Sequence, residues 1–311
     1  MQAITIQERK TIFPEKIFRL IEWFSSDPRH YQIVFLFIFF LYGMIGLNWE
    51  VSEANTLLTF FTCLISQAVF TGLTTQDYRS LKSALISSLS LCLMLKTNDS
   101  IVIVLASLLT IASKFLLSEK TFLIALNLFQ HSYNLREIQG QVRNDKRKNP
   151  KHFFNPTNFG IIATILLTHN AWISPGQWGN NGILVFTIGV FGLLVLLRVN
   201  RLDTALAFLL TFCALNFFRT VILLGWRMDF FLHQFTSGTL LLFAFFMITD
   251  PVSTPSHPKA RIIWATMIGT LTFYLSNYQF VNGAPLWALF FLSPLTILLD
   301  KIFVHTKFSW L

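Results

Sequence analysis

The sequence predicts an all-α, polytopic membrane protein of about ten transmembrane helices, built as one bundle with both chain ends cytoplasmic. Composition, the recurrence of apolar runs and the placement of basic residues predict the membrane, the crossings and the orientation. Of 311 residues, 53% are hydrophobic, only 13% are charged, and 34 are Phe. An average soluble domain carries about 25% charged residues. In water so much apolar side chain would lack polar cover. In lipid the surrounding solvent is itself apolar, and the difficulty disappears.

The apolar runs are Tyr31–Leu47, Ala54–Thr71, Ser83–Leu95, Ile101–Leu117, Phe154–Thr168, Gly182–Leu197, Ala205–Phe217, Thr236–Thr249, Ile262–Leu275 and Leu286–Leu299. A helix needs about 20 apolar residues to cross a bilayer, fewer where long polar side chains at its ends reach the interface. The short runs are expected either to extend into their flanks or to be broken helices inside the bundle. Arg219–His233 is the least span-like stretch, because its apolar centre, Val221–Leu224, is too short to cross. The resulting division is a cytoplasmic segment 1–30, a single transmembrane domain 31–303 and a cytoplasmic tail 304–311. Met1–Arg29 is polar and mixed in charge, so the first span is expected to serve as an uncleaved insertion signal.

The basic residues orient this map. With the N-terminal segment inside, only Lys96, Arg219 and Arg227 of the 24 Lys and Arg fall in outer loops, and Lys114 falls within a span. The rest lie in inner loops, a bias that places both termini in the cytoplasm and makes the number of spans even. The expected location is the plasma (inner) membrane. The net charge of +9 is scattered over several loops, which fits anionic lipid headgroups and excludes a nucleic-acid surface. Trp49, Trp172, Trp178, Trp264 and Trp287 lie near predicted span ends, where interfacial tryptophans collect.

Residues 118–151 interrupt the pattern. A short apolar run, Thr121–Phe129, precedes the basic stretch Arg143–Lys151. Such a run cannot cross alone; it reads as an interfacial helix or a continuation of the fourth span. The basic stretch is expected to touch headgroups or to dock a partner.

Three polar segments mark candidate function. In Phe153-Phe-Asn-Pro-Thr-Asn-Phe-Gly160, Asn155 followed by Pro156 is a helix start. Its free N–H groups either receive an anion or simply begin a well-capped helix. In Thr249-Asp-Pro-Val-Ser253, a carboxylate ends an apolar run and is fixed by Pro251. Asp250 would hold a cation, orient a ligand hydroxyl or cap the turn. The third segment, Trp172–Gly179, is an outer Pro-Gly turn between two tryptophans, suited to anchoring or to binding. Lys114 near the end of its span is expected to snorkel to the cytoplasmic face, with an anion contact as the alternative. Cys63, Cys92 and Cys213 lie in apolar runs without a CxxC spacing, so no metal or cluster site is expected. The seven histidines do not pair at ligand spacing; His152 and His257, beside the key segments, read as surface or capping residues.

Taken together, the segments resemble the membrane-subunit family shared by RnfD of Rnf complexes and NqrB of the sodium-pumping NADH:quinone reductase. The carriers are Lys114, the "FNPxxxG" segment Phe154–Gly160 and the "TDPVS" segment Thr249–Ser253, within a match running from about Ser83 to Phe303. The wording of the segments is most similar to a stand-alone, UnbU-like branch. The resemblance implies ten spans with internally repeated halves, similar to urea transporters, and a part in electron or ion transport. It places the ligand or ion pathway at Lys114, Asn155, Pro156, Thr157, Asn158, Gly160, Thr249, Asp250, Pro251 and Ser253. Family members carry FMN linked to a threonine in an "S/T-G-A-T" motif. Here Gly179-Asn-Asn-Gly182 holds no such threonine, and Ser237-Gly-Thr239 lacks the Ala-Thr ending. No covalent flavin is therefore expected; a non-covalent one, FMN or riboflavin, remains the implied cofactor, and other membrane or redox subunits the implied partners. The alternative is a stand-alone permease or channel for a small solute. A third reading is an assembly factor whose basic loop docks a soluble protein. No nucleophile–base pair or nucleotide loop suggests catalysis by the chain alone.

Overall fold

The computed structural model describes residues 27–49, 51–74, 81–118, 121, 151–174, 182–306 and 308. Most of the N-terminal segment, the body of the 118–151 insertion and the turn containing Trp178 lie outside the described residues. The helices are α1 (Pro28–Gly46), α2 (Glu53–Thr74), α3 (Leu81–Met94), α4 (Ser100–Leu116), α5 (Pro156–Thr168), α6 (Gly182–Val199) and α7 (Leu202–Phe217). They continue as α8 (Met228–His233), α9 (Gly238–Leu242), α10 (Pro258–Asn277), α11 (Ala284–Leu292) and α12 (Leu295–Ile302). Two strands of two residues each, β1 (Leu95–Lys96) and β2 (Trp172–Ile173), pair antiparallel.

The distribution of side chains is that of a protein in lipid. Phe186, Ile45, Leu73 and Leu210 point outward, whereas Ser107, Thr110, Asn158, Thr272 and Thr296 are fully buried. Water would favour the reverse; a bilayer solvates the apolar exterior and drives polar groups inward. Pro28–Gly46, Glu53–Leu73 and Leu202–Leu223 are each long and apolar enough to cross, and α11 with α12, bent by 52°, makes a fourth such stretch. The apolar helices α3, α4, α5 and α9 with its continuation are shorter, two of them for visible reasons. At Met94 the chain leaves α3 for the β1–β2 ladder, where Leu95 faces Ile173 and Lys96 faces Trp172. Helix α9 continues as a π-helical turn, Phe243–Met247, and stops before Asp250-Pro251.

Two sequence expectations are corrected. Val221–Leu224 is not an isolated short core: α7 continues through a π-helical turn, Phe218–Leu223, so its apolar residues lengthen the preceding span. Trp264 does not face lipid headgroups. It is 1% exposed in the core of α10, and its indole N–H donates to Leu292 O at 2.9 Å.

Close helix packing fixes the frame. Helix α4 lies against α2 and α5, and α10 against α7 and α11. The α4–α5 contact requires glycine: a Cβ on Gly160 would stand 1.8 Å from Thr110 Oγ1 and 3.0 Å from Ala106 O. At the α7–α10 contact, a Cβ on Gly269 would stand 3.1 Å from Phe208 O. Small residues let transmembrane helix backbones approach where lipid supplies no hydrophobic drive between them. An aromatic group, Phe208 with Phe212 and Phe243, fills the space between α7 and the π turn.

Candidate functional site

The start of α5 and the end of the Gly238–Met247 segment meet at one end of the bundle. Asn155 caps α5, its Oδ1 accepting from Asn158 N at 3.1 Å, and Pro156 occupies the first helical position. Its Nδ2 donates to Met247 O at 3.2 Å, in the π turn ahead of Asp250. The same side chain thus satisfies the start of one short helix and a carbonyl at the end of another. Asn, with a donor and an acceptor on one group, can do both; Ser, Thr or Asp can cap but cannot supply the amide donor.

Asp250 forms the turn that follows. Its Oδ1 accepts from Val252 N at 3.2 Å and its Oδ2 from Ser253 Oγ at 3.0 Å. Thr249 Oγ1 donates back to Phe245 O at 2.8 Å. The rest of the loop is clamped from behind. Arg201 Nε donates to Thr254 Oγ1 at 3.2 Å, and its guanidinium reaches Pro251 O. Arg261 holds Asp203 Oδ2 through two nitrogens, at 2.9 and 2.6 Å, and donates to Ser256 O at 2.9 Å. Asp300 accepts from Ser256 N at 2.7 Å and pairs with Lys151.

Between the segments lies a cavity of about 90 Å³. Its polar wall includes Arg29, Ser83, His152, Asn155, Thr157, Thr249 and Asp250; Leu36, Ile86, Val195 and Phe245 contribute to its apolar wall. Arg29 is neutralised by Asp27, which takes Nη2 at 2.7 Å and also accepts Lys82 at 3.0 Å. Partly buried His152 has Nδ1 2.9 Å from Phe154 O. Burial holds its pKa below the ordinary 6.5, against the attraction of Asp250. Burial first, and the neighbouring charge of Arg261 second, bring Arg201 down to about 10.

Of the residues singled out in the sequence, Asn155, Pro156, Thr157, Thr249, Asp250 and Pro251 line this cavity together. Asn158, Gly160, Ser253 and Lys114 do not line it. Gly160 is a packing residue against α4. Ser253 braces Asp250. Asn158 is fully buried, with neither side-chain atom partnered by protein. Lys114 does not snorkel: it is buried, and its Nζ donates to Gln67 Oε1, Ser83 O and Ser83 Oγ at 3.3, 3.2 and 3.1 Å. Ser83 lines the cavity, so Lys114 stands one residue behind its wall. His257 caps α10 as expected, its Nδ1 accepting from Lys259 N at 3.1 Å. In the sequence Arg29, Arg201 and Arg261 stand out only as inner-loop charges. The nearest local signal is Arg201-Leu-Asp203, which places a cation and a carboxylate at one helix start.

The implied flavin does not fit here. Sites for cofactor-sized ligands measure about 300–1,000 Å³, and this cavity is far smaller.

Fold and site together define a predominantly helical integral membrane protein whose polar centre is assembled where the start of one short helix meets the end of another. The chain belongs to the NQR2, RnfD, RnfE family, whose model matches residues 121–309. It is 35% identical over 129 residues to one component of the ion-translocating oxidoreductase complex of Erwinia tasmaniensis, covering 40% of this chain and 31% of the relative. The component of the same name from Stutzerimonas stutzeri is 31% identical over 134 residues, covering 42% of this chain and 36% of the relative. That of Shewanella frigidimarina is 40% identical over 47 residues, 15% of this chain and 13% of the relative. The matched region thus spans about a third of the first two relatives' length.

Proposed function

We propose that this chain is a membrane subunit of an ion-translocating electron-transport assembly, and that the cavity between the start of α5 and the end of the Gly238–Met247 segment is a station for a small cation. The observation that carries this reading is the placement of Asp250. Its carboxylate lines the cavity beside the Thr157 and Thr249 hydroxyls and is held there by Val252 and Ser253 rather than by a basic side chain. A cavity of about 90 Å³ holds a small ion with one or two waters, each occupying roughly 30 Å³. Oxygen-rich surroundings suit a hard cation. A non-covalent flavin, FMN or riboflavin, belongs to the proposal as a cofactor of the assembly, not as a ligand of this cavity. The orientation rests on the basic loops: ten crossings, both termini cytoplasmic, in the plasma membrane.

The test is cation uptake into proteoliposomes containing the chain with its co-purifying partners. Asp250→Asn is expected to reduce uptake at least about tenfold while the protein still purifies as a folded species. Undiminished uptake by that variant would overturn the assignment. An absorption spectrum of the gently purified assembly tests the flavin.

A second reading, a stand-alone permease, is favoured by one observation. A second cavity, of about 320 Å³ and lined by Asn216, Gln234, Thr239 and Asn277, lies at the other end of the Gly238–Met247 segment. The two cavities would be the two mouths of one solute path. Solute flux by the purified chain without partners would favour this reading.

A further inference from the structure

A third cavity, of about 540 Å³, opens at the end of the bundle opposite the Asp250 loop, between the starts of α2 and α4 and the end of α3. Its volume falls within the range of small-molecule sites. Its wall is mixed: Val51, Leu91 and Ile103 are apolar, whereas Asn55, Thr59, Lys96 and Ser107 are polar. No carboxylate among the described residues lines it. Asp99, just beyond, is occupied in capping α4, its Oδ1 accepting from Ile101 N at 2.8 Å. Glu53 is exposed on the first turn of α2, and Glu50 lies outside the described residues.

Two donors on this wall lack an oxygen acceptor. Lys96 rests its ammonium on the Trp49 ring, 5.5 Å from the centroid, and meets no acceptor oxygen among the described residues. Ser107 Oγ is fully buried and has no nitrogen or oxygen partner among the described residues; its polar neighbour is the weakly accepting Cys63 thiol. The neighbouring hydroxyls differ: Thr56 and Thr59 already donate to Ser52 O and Asn55 O, at 3.1 and 2.8 Å. Buried polar groups are ordinarily satisfied, and an exception implies a missing water or ligand. A half-buried ammonium and a fully buried hydroxyl facing one cavity without a carboxylate call for an anion, and they repel a cation.

We propose that this cavity binds a phosphate group, with Lys96 and Ser107 as its ligands and the apolar wall taking the remainder of the molecule. The same chemistry is offered by a soluble phosphomonoester and by an anionic lipid headgroup.

The cavity contains its own reporter, because Cys92 lines it. The experiment uses the full chain carrying Cys63→Ala and Cys213→Ser in lipid nanodiscs. Cys92 is reacted with an anionic sulfonatoethyl and a cationic trimethylammonioethyl thiosulfonate of similar size, each rate normalised to that with free cysteine. The normalised rate is expected to favour the anionic reagent by about tenfold, the scale of one charge a few ångströms away. Lys96→Gln should abolish the preference and Lys96→Arg should keep it. Inorganic phosphate should slow the reaction, less so after Ser107→Ala. Protection by phosphate in zwitterionic nanodiscs identifies a soluble ligand; protection only in phosphatidylglycerol nanodiscs identifies a lipid. A charge-independent rate, a preference unchanged by Lys96→Gln, or no reaction in the folded protein when the unfolded chain reacts would each overturn the site. None of these readouts depends on Asp250 or on ion transport.

Discussion

Asn155 and Met247, 92 positions apart, are joined by one hydrogen bond of 3.2 Å from the Asn155 amide to the Met247 carbonyl. The same Asn155 side chain begins helix α5, so the two polar segments of the site are held in one register by a single residue. Substitutions can separate the two duties. Asn155→Ala removes cap and bridge and should destabilise the detergent-purified protein by about 2–3 kcal/mol. Asn155→Asp keeps the cap and loses the amide donor, so it should cost about half as much. An unchanged thermal stability of Asn155→Asp would mean that the bridge contributes nothing, and equal losses for the two variants would mean that the cap contributes nothing.

Gly160 offers a test of packing. In Gly160→Ala the new methyl would meet Thr110 Oγ1 at 1.8 Å and Ala106 O at 3.0 Å, so α4 and α5 must move apart. Overpacking of this kind costs about 1–3 kcal/mol. Thr110→Ala, which removes the nearer obstacle, should recover part of that loss in the double variant. Additive losses in a double-mutant cycle would show that the two residues do not meet as described.

The loop behind Asp250 should loosen without its clamps. Arg261 is 5% exposed and makes three bonds at once, two to Asp203 Oδ2 and one to Ser256 O. Lys in its place has no planar fork and cannot keep this geometry. Arg261→Lys should therefore speed amide hydrogen exchange across Asp250–Ser256 by about tenfold, with little change in α1–α3. Unchanged exchange in the loop would show that the remaining contacts suffice.

These tests also mark how far the sequence reaches. The lipid environment was legible because it depends on bulk composition and on runs of apolar residues, which no contact can conceal. The Asn155–Pro156 helix start was legible because capping is local chemistry. Lys114 was not: its neighbours Gln67 and Ser83 come from two other helices, so nothing nearby in the chain separates a snorkelling lysine from one held by Ser83. Trp264 misled for a related reason. Its place near a predicted span end gave no sign that Leu292 O would take its indole N–H. The anionic-ligand cavity around Lys96 was equally hidden, since the fold brings Lys96 beside residues of α2 that are remote in sequence.

His152 gives a pH dependence of definite sign. Burial lowers its pKa from the ordinary 6.5, outweighing the opposing pull of Asp250 and of its bond to Phe154 O. At neutral pH the ring is uncharged in both folded and unfolded chains, and its contribution to stability is fully present. As pH falls through 6.5 the unfolded chain takes up a proton that the folded chain accepts only at lower pH, so stability falls. Thermal stability in detergent should therefore decline from about pH 7.5 to about pH 5.5 by more than in His152→Gln, which has no proton to bind there. Equal declines in the two proteins would assign the acid sensitivity to other groups. A more stable wild type at the lower pH would reverse the sign and remove His152 from the cavity wall as a neutral ring.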